Sequence, residues 1–182
     1  MFEAVVIGGS AGSIEVLVSL LDNLPKDYPL PIIVAIHLHP SDQGDLARLM
    51  DSQTSITIKE AREKYPIEPG SVYTAPADYH LLVEHDKTFA LTVDDRVNYA
   101  RPSIDVLFES AAFVYGKKLT GILLSGANHD GAHGLAVIKQ SGGLTVAQAP
   151  ETAQCPAMPQ AAIDLGCVDR FLQPTTLLDI LR

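Results

Sequence analysis

A serine occupies a glycine-rich turn near the start of the chain. Residues 8–12 read Gly-Gly-Ser-Ala-Gly, which fits the pattern G-x-S-x-G with Ser10 at the serine position. The turn follows an apolar run, residues 4–7, and precedes residues 14–24, where apolar side chains recur at helical spacing. This strand–turn–helix context is the one in which the pattern presents a nucleophilic serine. The helix N-terminus behind Ser10 offers free N–H groups and a positive dipole end, which suit an oxyanion.

The same turn has a second interpretation, as a glycine loop that binds an anion or only shapes the chain. A dinucleotide-binding loop requires G-x-G-x-x-G, and counting from Gly8 the second and third glycines are replaced by Ser10 and Ser13. The lysine of a Walker loop is also missing from this turn. The spacing therefore favours a nucleophile, with an anion-binding or structural turn as the alternative.

A serine hydroxyl becomes a good nucleophile only beside a base, and the base needs a carboxylate that fixes its tautomer. His37 ends a second buried apolar run, residues 32–36, and Asp130 follows a third, residues 119–124. Because the C-terminal ends of parallel strands meet at one edge of a sheet, we expect Ser10, His37 and Asp130 to lie together. Their order in the chain differs from the Ser, Asp, His order of α/β-hydrolases, so the topology is expected to differ as well.

The remaining histidines leave a metal-assisted hydrolase open as an alternative. Its ligands would come from the same edge of the sheet: His37, His39, His129 and His133, together with Asp130. No compact ligand motif such as H-E-x-x-H is present. His80 and His85 flank a predicted hairpin and are expected to be solvent-facing or turn residues. Asp130 also has a structural interpretation, as an ordinary loop or capping residue, since Asp-Gly is common in turns.

The elements that position these residues alternate between strands and helices. Helices are predicted at residues 14–24, 42–50, 103–115, 131–140, 159–165 and 175–181, and strands at 4–7, 32–36, 119–124 and 144–147. Three short β-rich segments lie between them, at 71–75, 81–84 and 89–93. We therefore predict an α/β fold: a doubly wound, mainly parallel sheet in a three-layer, Rossmann-like arrangement, with a short antiparallel hairpin extension. A single domain over residues 1–182 is expected.

Composition restricts the partners of the chain. Apolar residues make up 47% and charged residues 19% of the 182 residues, as in ordinary globular proteins. The formal net charge of −9 argues against binding to nucleic acid or to anionic membrane surfaces. Cys155 and Cys167 are too few for a disulfide framework and are expected to be free thiols. No signal peptide or membrane-spanning run is recognised, so we expect a cytoplasmic protein.

Several segments occur in an order that resembles a known family: GGSAGS, IHLHP, NYARPSIDVLF, LLSGANHDGAHGL and QAPETAQCPAMPQAA. Over nearly its whole length the chain is similar to the catalytic domain of chemotaxis protein-glutamate methylesterases (CheB). The resemblance implies hydrolysis of glutamate γ-methyl esters on chemoreceptors, with release of methanol, and deamidation of receptor glutamines. It implies that Ser10 is the nucleophile, His37 the general base and Asp130 the carboxylate that orients it. The backbone N–H groups of His37 and Ala127 would form the oxyanion hole, and no metal or organic cofactor is expected.

The chain departs from the family pattern beside the predicted site. The family turn usually reads S-T-G-G, whereas residues 10–13 read Ser-Ala-Gly-Ser, so the hydroxyl next to the nucleophile is lost. The family loop usually reads G-N-D-G, whereas residues 128–131 read Asn-His-Asp-Gly. Ala127 stands where the family often has a methionine. We still expect serine-hydrolase chemistry despite these differences, which affect mainly the identity of the substrate.

The resemblance also implies partners. The methylated cytoplasmic helices of chemoreceptors would be the substrate. Family members usually carry an N-terminal receiver domain, whereas this sequence begins at the first predicted strand. Either a receiver domain has been removed or the protein works alone, and the methionine directly before the strand favours a stand-alone form. Regulation would then need a partner, such as a separate response-regulator receiver protein, or control of expression. The alternative from another class is a non-catalytic signalling or receptor-binding module on the same scaffold.

Overall fold

The computed structural model describes residues 1–172. In chain order its strands are β1 (Ala4–Gly9), β2 (Ile32–Ile36), β3 (Thr57–Glu60), β4 (Ser71–Thr74), β5 (His80–Val83), β6 (Phe89–Thr92), β7 (Leu119–Leu123), β8 (Leu144–Gln148) and β9 (Arg170–Leu172). Seven of them form a parallel sheet in the order β3-β4-β2-β1-β7-β8-β9. The other two, β5 and β6, pair antiparallel in a separate hairpin.

Helices cover both faces of the parallel sheet. They are α1 (Ile14–Asp22), α2 (Asp45–Gln53), α3 (Ile104–Tyr115), α4 (Ala132–Gln140) and α5 (Ala157–Asp164). Successive residues of the central strand β1 point to opposite faces, as the pleat of a strand requires. Val5 and Ile7 pack in a core with α1 and α2, whereas Ala4 and Val6 pack in a second core with α3, α4, α5 and the hairpin. This arrangement confirms the predicted doubly wound, three-layer fold.

The sheet has its topological switch point beside β1. From β1 the chain builds β2, β4 and β3 on one side, and it then returns to add β7, β8 and β9 on the other. In such sheets the crevice beyond the C-terminal ends of the strands at the switch point is the usual binding site. Residues that directly follow β1, β2 and β7 therefore meet at the place where a site is expected.

The structure differs from the sequence predictions mainly in the middle of the chain. Residues 71–74, predicted as part of an antiparallel extension, pair parallel with β2 and belong to the main sheet. All four are buried although two are polar, which hides the buried-strand pattern in the sequence. The edge strands β3 and β9 were not predicted, because they are only four and three residues long and carry exposed polar side chains. The helix predicted at 175–181 lies outside the described residues. Within residues 1–172, no helix is long and apolar enough to cross a membrane.

Candidate active site

The turn after β1 holds Ser10 at the switch point. The backbone N–H of Ser10 donates to the carbonyl of Ser125, which follows β7, at 2.9 Å. The hydroxyl of the fully buried Ser13 donates to the carbonyl of Ser10 at 2.6 Å, and this hydrogen bond stabilises the turn on its buried side. Gly12 has a φ of +76°, and a Cβ there would lie 2.5 Å from Cβ of Gln154, so this position requires glycine. The Ser10 hydroxyl is half-buried and makes no hydrogen bond with any described residue.

His37 lies beside Ser10 because their strands are neighbours. Gly9 pairs with Ile36 in the ladder, so Ser10 and His37 are the next residues beyond two adjacent strand ends. The His37 Nε2 atom lies 2.7 Å from Oδ2 of Asp130, which follows β7 at the start of α4. The structure thus brings His37 and Asp130 into direct contact, and it places Ser10 at the same edge without a hydrogen bond to His37. Since Nε2 is occupied, Nδ1 is the imidazole nitrogen left for another partner.

Asp130 is fully buried and surrounded by hydrogen-bond donors at the N-terminus of α3. Its two oxygens accept bonds of 2.7–3.2 Å from His37 Nε2, Asn98 Nδ2, Ser103 Oγ and the backbone N–H groups of Ile104 and Asp105. Burial is the largest single influence and raises the pKa of Asp130. The hydrogen bonds, led by the one from His37, together outweigh burial and hold the pKa below its ordinary value. The carboxylate therefore stays ionised at neutral pH.

A second buried carboxylate mirrors the first. Asp105, in the first turn of α3, accepts bonds from the N–H groups of Gly131 and Gly134 at the start of α4, at 3.0 and 2.6 Å. Each helix N-terminus is thus bound by an aspartate from the start of the other helix, as the helix dipoles favour. The Asn98 amide lies between them and donates to Asp105 at 2.8 Å and to Asp130 at 2.9 Å. Burial raises the pKa of Asp105, and the nearby charge of Asp130 adds to this effect.

The sequence did not single out Asn98, Ser103 or Asp105 as site residues. All three lie within the segment NYARPSIDVLF, which carried the family resemblance, so their position was visible although their contacts were not. An aspartate in the first turn of a predicted helix is an ordinary helix-stabilising residue. The packing of α3 against α4 and the course of the loop before α3 bring these residues to Asp130.

The free energy of unfolding should depend on pH, because Asp130 is ionised at neutral pH and becomes protonated in acid. A carboxyl group whose pKa is lower in the folded chain stabilises the fold above its unfolded pKa, and this contribution is lost as pH falls through the folded pKa. We therefore expect the difference in unfolding free energy between wild type and Asp130→Asn to be constant near neutral pH and to shrink below pH about 4. Urea denaturation of both proteins over a pH series measures it. A difference that stays constant into acid would contradict an ionised Asp130.

One of the two N–H groups predicted to form the oxyanion hole makes a hydrogen bond within the fold. The backbone N–H of His37 donates to the carbonyl of Gly9 at 3.2 Å, because the hydrogen bonds between β1 and β2 continue one residue beyond the strands. It is therefore not available to an oxyanion in this conformation. The N–H of Ala127 makes no hydrogen bond with the described residues, and the same is true of Ala11, directly after Ser10. The residue after the nucleophile is a common oxyanion donor in hydrolases.

The histidines outside the His37 pair have separate surroundings. His80 was predicted to be a solvent-facing or turn residue, and this is wrong: it begins β5 and is 1% exposed. Its Nδ1 accepts the N–H of Ser103 at 3.1 Å, and its Nε2 donates to the carbonyl of Asp95 at 3.0 Å. It is buried because α3 and the segment before it cover the hairpin. His85 is exposed, as predicted, and packs against the ring of Phe113.

The five side chains of the metal-assisted alternative do not form one cluster, although two of them, His37 and Asp130, are in contact. His39 lies 2.7 Å from the Ser41 hydroxyl, and His133 lies 2.9 Å from a carboxylate oxygen of Glu109 on α3. Residues 1–172 contain no group of three or more His, Cys, Asp and Glu side chains that could hold a metal ion. The two cysteines are both free thiols.

Two concave regions flank the candidate site. A groove of about 730 Å³ is lined by Ala127, Pro150, Glu151, Gln154, Cys155, Pro156, Ala157 and Gln160. A smaller crevice of about 140 Å³ is lined by His37, Leu38, Arg96, Asn98, Tyr99, Ala100, Arg101, Pro102 and Asn128. The loop after β7 separates them, since Ala127 lines the first and Asn128 the second. The buried Ser125 hydroxyl fixes this loop by donating to the Ala11 carbonyl at 2.8 Å and accepting the Cys155 N–H at 2.9 Å.

Fold and site together define a doubly wound α/β domain that carries a serine, a histidine and a buried carboxylate at its switch point. Comparisons with known proteins then give the family. Residues 5–181 match the profile of the family described as CheB methylesterase. The chain belongs to the CheB methylesterase family, a family of carboxylic-ester hydrolases.

Individual relatives agree with this assignment. A Leptospira interrogans protein with the provisional name protein-glutamate methylesterase/protein-glutamine glutaminase is 48% identical over 171 residues, covering 94% of this chain and 89% of the relative. A Thermotoga maritima protein of the same name is 37% identical over 92% of this chain, which spans 50% of that relative's length. The crystal structure of the Thermotoga maritima CheB methylesterase catalytic domain superposes with a TM-score of 0.95 at 34% identity, covering 100% of this chain and 97% of that domain.

Proposed function

We propose that this chain hydrolyses γ-methyl esters of glutamate side chains on the cytoplasmic helices of chemoreceptors, releasing methanol. One observation carries the proposal: an ionised, buried Asp130 holds His37 at the edge where Ser10 leaves the central strand, in a chain of the methylesterase family. The names of its relatives supply the substrate, a protein glutamate ester. Such a substrate lies in the cytoplasm, and we place the chain there.

In the proposed reaction the Ser10 hydroxyl attacks the ester carbonyl while Nδ1 of His37 takes its proton. Nδ1 is assigned this role because Nε2 is held by Asp130 at 2.7 Å. The carboxylate fixes the tautomer that leaves Nδ1 unprotonated, and it stabilises the imidazolium that forms. The missing hydrogen bond between Ser10 and His37 is compatible with this role, because catalytic hydrogen bonds often tighten only when substrate binds.

The negative charge that develops on the carbonyl oxygen must be stabilised by N–H groups that make no other hydrogen bond with the described residues. We assign this task to the N–H groups of Ala127 and Ala11, which approach from the ends of β7 and β1. The imidazolium of His37 then protonates the departing methoxide, which leaves as methanol. Water, activated by the same nitrogen, releases the glutamate carboxylate from Ser10.

The same machinery supports deamidation of receptor glutamines. A glutamine amide presents the same carbonyl to Ser10, and the leaving group is ammonia after protonation by His37. The acyl-enzyme and the product carboxylate are identical in the two reactions. Relatives whose names include protein-glutamine glutaminase support this second activity.

The test is direct and uses a purified receptor cytoplasmic fragment, methylated enzymatically. Wild-type protein should release methanol and convert each methyl ester to glutamate, as mass spectrometry of the fragment would show. A fluorophosphonate should form a stoichiometric adduct on Ser10, which peptide mapping would locate. An unmethylated fragment is the control for background methanol. Absence of both methanol and adduct would contradict the proposal and favour a non-catalytic receptor-binding module.

A further inference from the structure

One loop beside the site is held by several hydrogen bonds although most of its residues are exposed. We call residues 93–100, between β6 and the start of the α3 region, the rim loop. Arg101 donates from Nη1 to the carbonyls of Val93 and Asp94 at 2.8 and 3.1 Å, and its own guanidinium is held by Asp78 at 2.9 Å. The buried His80 donates to the carbonyl of Asp95. Further along, two backbone hydrogen bonds of 2.9 and 3.1 Å pair Val97 with Ala100. The rim loop is therefore positioned from several sides.

The tip of the rim loop adopts a backbone conformation that its residues do not prefer. Asn98 has a φ of +52° and Tyr99 a φ of +63°, both in the left-handed region. Asparagine tolerates this region, and the Asn98 amide bridges two buried carboxylates, which accounts for its conformation. A bulky residue such as tyrosine is disfavoured there.

The turn imposes this conformation on Tyr99, because the mutual hydrogen bonds of Val97 and Ala100 close a two-residue hairpin turn that needs a positive φ at both central residues and favours Gly, Asn or Asp there. The Tyr99 side chain is 95% exposed and makes no hydrogen bond, ion pair or ring contact with residues 1–172. An aromatic side chain that is fully presented to solvent on a firmly held loop is typical of a binding contact, because its ring offers a large rigid surface with few rotatable bonds. Strained positions of this kind cluster at functional sites.

Tyr99 lies near the residue proposed as the general base of the reaction. Tyr99 lines the same 140 Å³ crevice as His37 and Asn128. The crevice is too small for a helix, and Ser10, Ala11 and Ala127 are not among its lining residues, so it adjoins the site of attack on the His37 side. A helix that presents a glutamate to Ser10 therefore passes outside the crevice, and the exposed ring of Tyr99 stands on the surface beside it.

We propose that Tyr99 is a specificity-determining contact, whose ring packs against the receptor helix next to the esterified glutamate. The proposal rests on the proposed function and adds the residue that recognises the polypeptide. Ser10, His37 and the oxyanion donors act on the ester, which any small ester also has. Tyr99 acts on the part of the substrate that only a protein has.

The first test compares two substrates. Tyr99→Ala should lower kcat/KM for the methylated receptor fragment by about tenfold, mainly through KM, as the loss of one aromatic interface contact does. Hydrolysis of p-nitrophenyl acetate should change less than about twofold, because that ester does not reach the rim. Tyr99→Phe should retain wild-type values on both substrates. Equal losses on both substrates would overturn the proposal, since they would indicate a damaged site.

The second test measures binding without turnover and so separates this proposal from the proposed function. The affinity of Ser10→Ala for the methylated fragment, measured by calorimetry, should fall about tenfold when Tyr99→Ala is added. Phe113→Ala is the matched control, since this aromatic is 77% exposed on α3 and lies outside the rim loop and the crevice lining. It should leave the affinity unchanged. An unchanged affinity in the Tyr99→Ala protein, or no binding of Ser10→Ala to the fragment, would overturn the inference whatever the wild type hydrolyses.

Discussion

Ser10→Ala is expected to lower kcat for methyl-ester hydrolysis by about 10⁴-fold or more, since removal of a serine nucleophile abolishes the covalent pathway. The fold should be unaffected, because the Ser10 hydroxyl makes no hydrogen bond with the described residues and is only half-buried. Methanol release gives kcat, and thermal melting should show the same midpoint as wild type within about 1 °C.

Ser13→Ala is the matched control for this prediction. Both serines belong to the same turn, but Ser13 is fully buried and donates to the Ser10 carbonyl at 2.6 Å. Its loss should reduce the free energy of unfolding by about 1 kcal/mol, the usual net value of one hydrogen bond. Activity should fall by less than about tenfold, because the nucleophile remains. If Ser10→Ala kept more than about one tenth of wild-type activity, Ser10 would not be the nucleophile.

The sequence allowed three candidate site residues to be placed at one edge of the sheet, because each lies beyond the C-terminal end of a buried strand, two of them directly at the strand end and Asp130 in the loop between β7 and α4. Ser10, His37 and Asp130 come after β1, β2 and β7, and the rule that parallel strands end at one edge does not depend on how side chains pack. The same reasoning recognised the doubly wound fold from the alternation of elements. At these positions the local sequence pattern and the order of the strands in the sheet lead to the same prediction.

What the sequence could not show depends on contacts between distant segments. Asp105 lies beside Asp130 because α3 packs against α4, and Asn98 reaches Asp130 from the rim loop; neither residue has a local pattern that indicates these contacts. The His37 N–H was predicted to be free, but its use depends on how far the ladder between β1 and β2 extends. His80 is polar and flanks a turn, and only the covering helix makes it a buried residue. These are properties of packing, which periodicity does not report.

Asp130→Asn should lower kcat by about 10³- to 10⁴-fold while the chain still folds. An amide has nearly the shape of the carboxylate, but it carries no charge to stabilise the His37 imidazolium. All groups that contact the two oxygens of Asp130 are donors, from His37, Asn98, Ser103 and the backbone of α3. The new amide nitrogen must therefore face at least one donor without an acceptor. We expect a loss of about 3 kcal/mol in unfolding free energy at neutral pH, in the range for an unsatisfied buried group and a broken charge pair.

Asp105→Asn is the comparison variant. It removes a buried negative charge that does not contact the proposed base, His37, so it shows the effect of losing a charge that only stabilises the fold. Asp105 is also a buried aspartate that accepts two backbone N–H groups and the Asn98 amide, but it does not contact His37. Its pKa is raised by burial, so neutralising it should cost less stability than neutralising Asp130. We expect kcat to fall by less than about tenfold in this variant. If Asp105→Asn lowered kcat as much as Asp130→Asn, the two carboxylates would both be structural, and His37 would have to act as a base without an orienting charge.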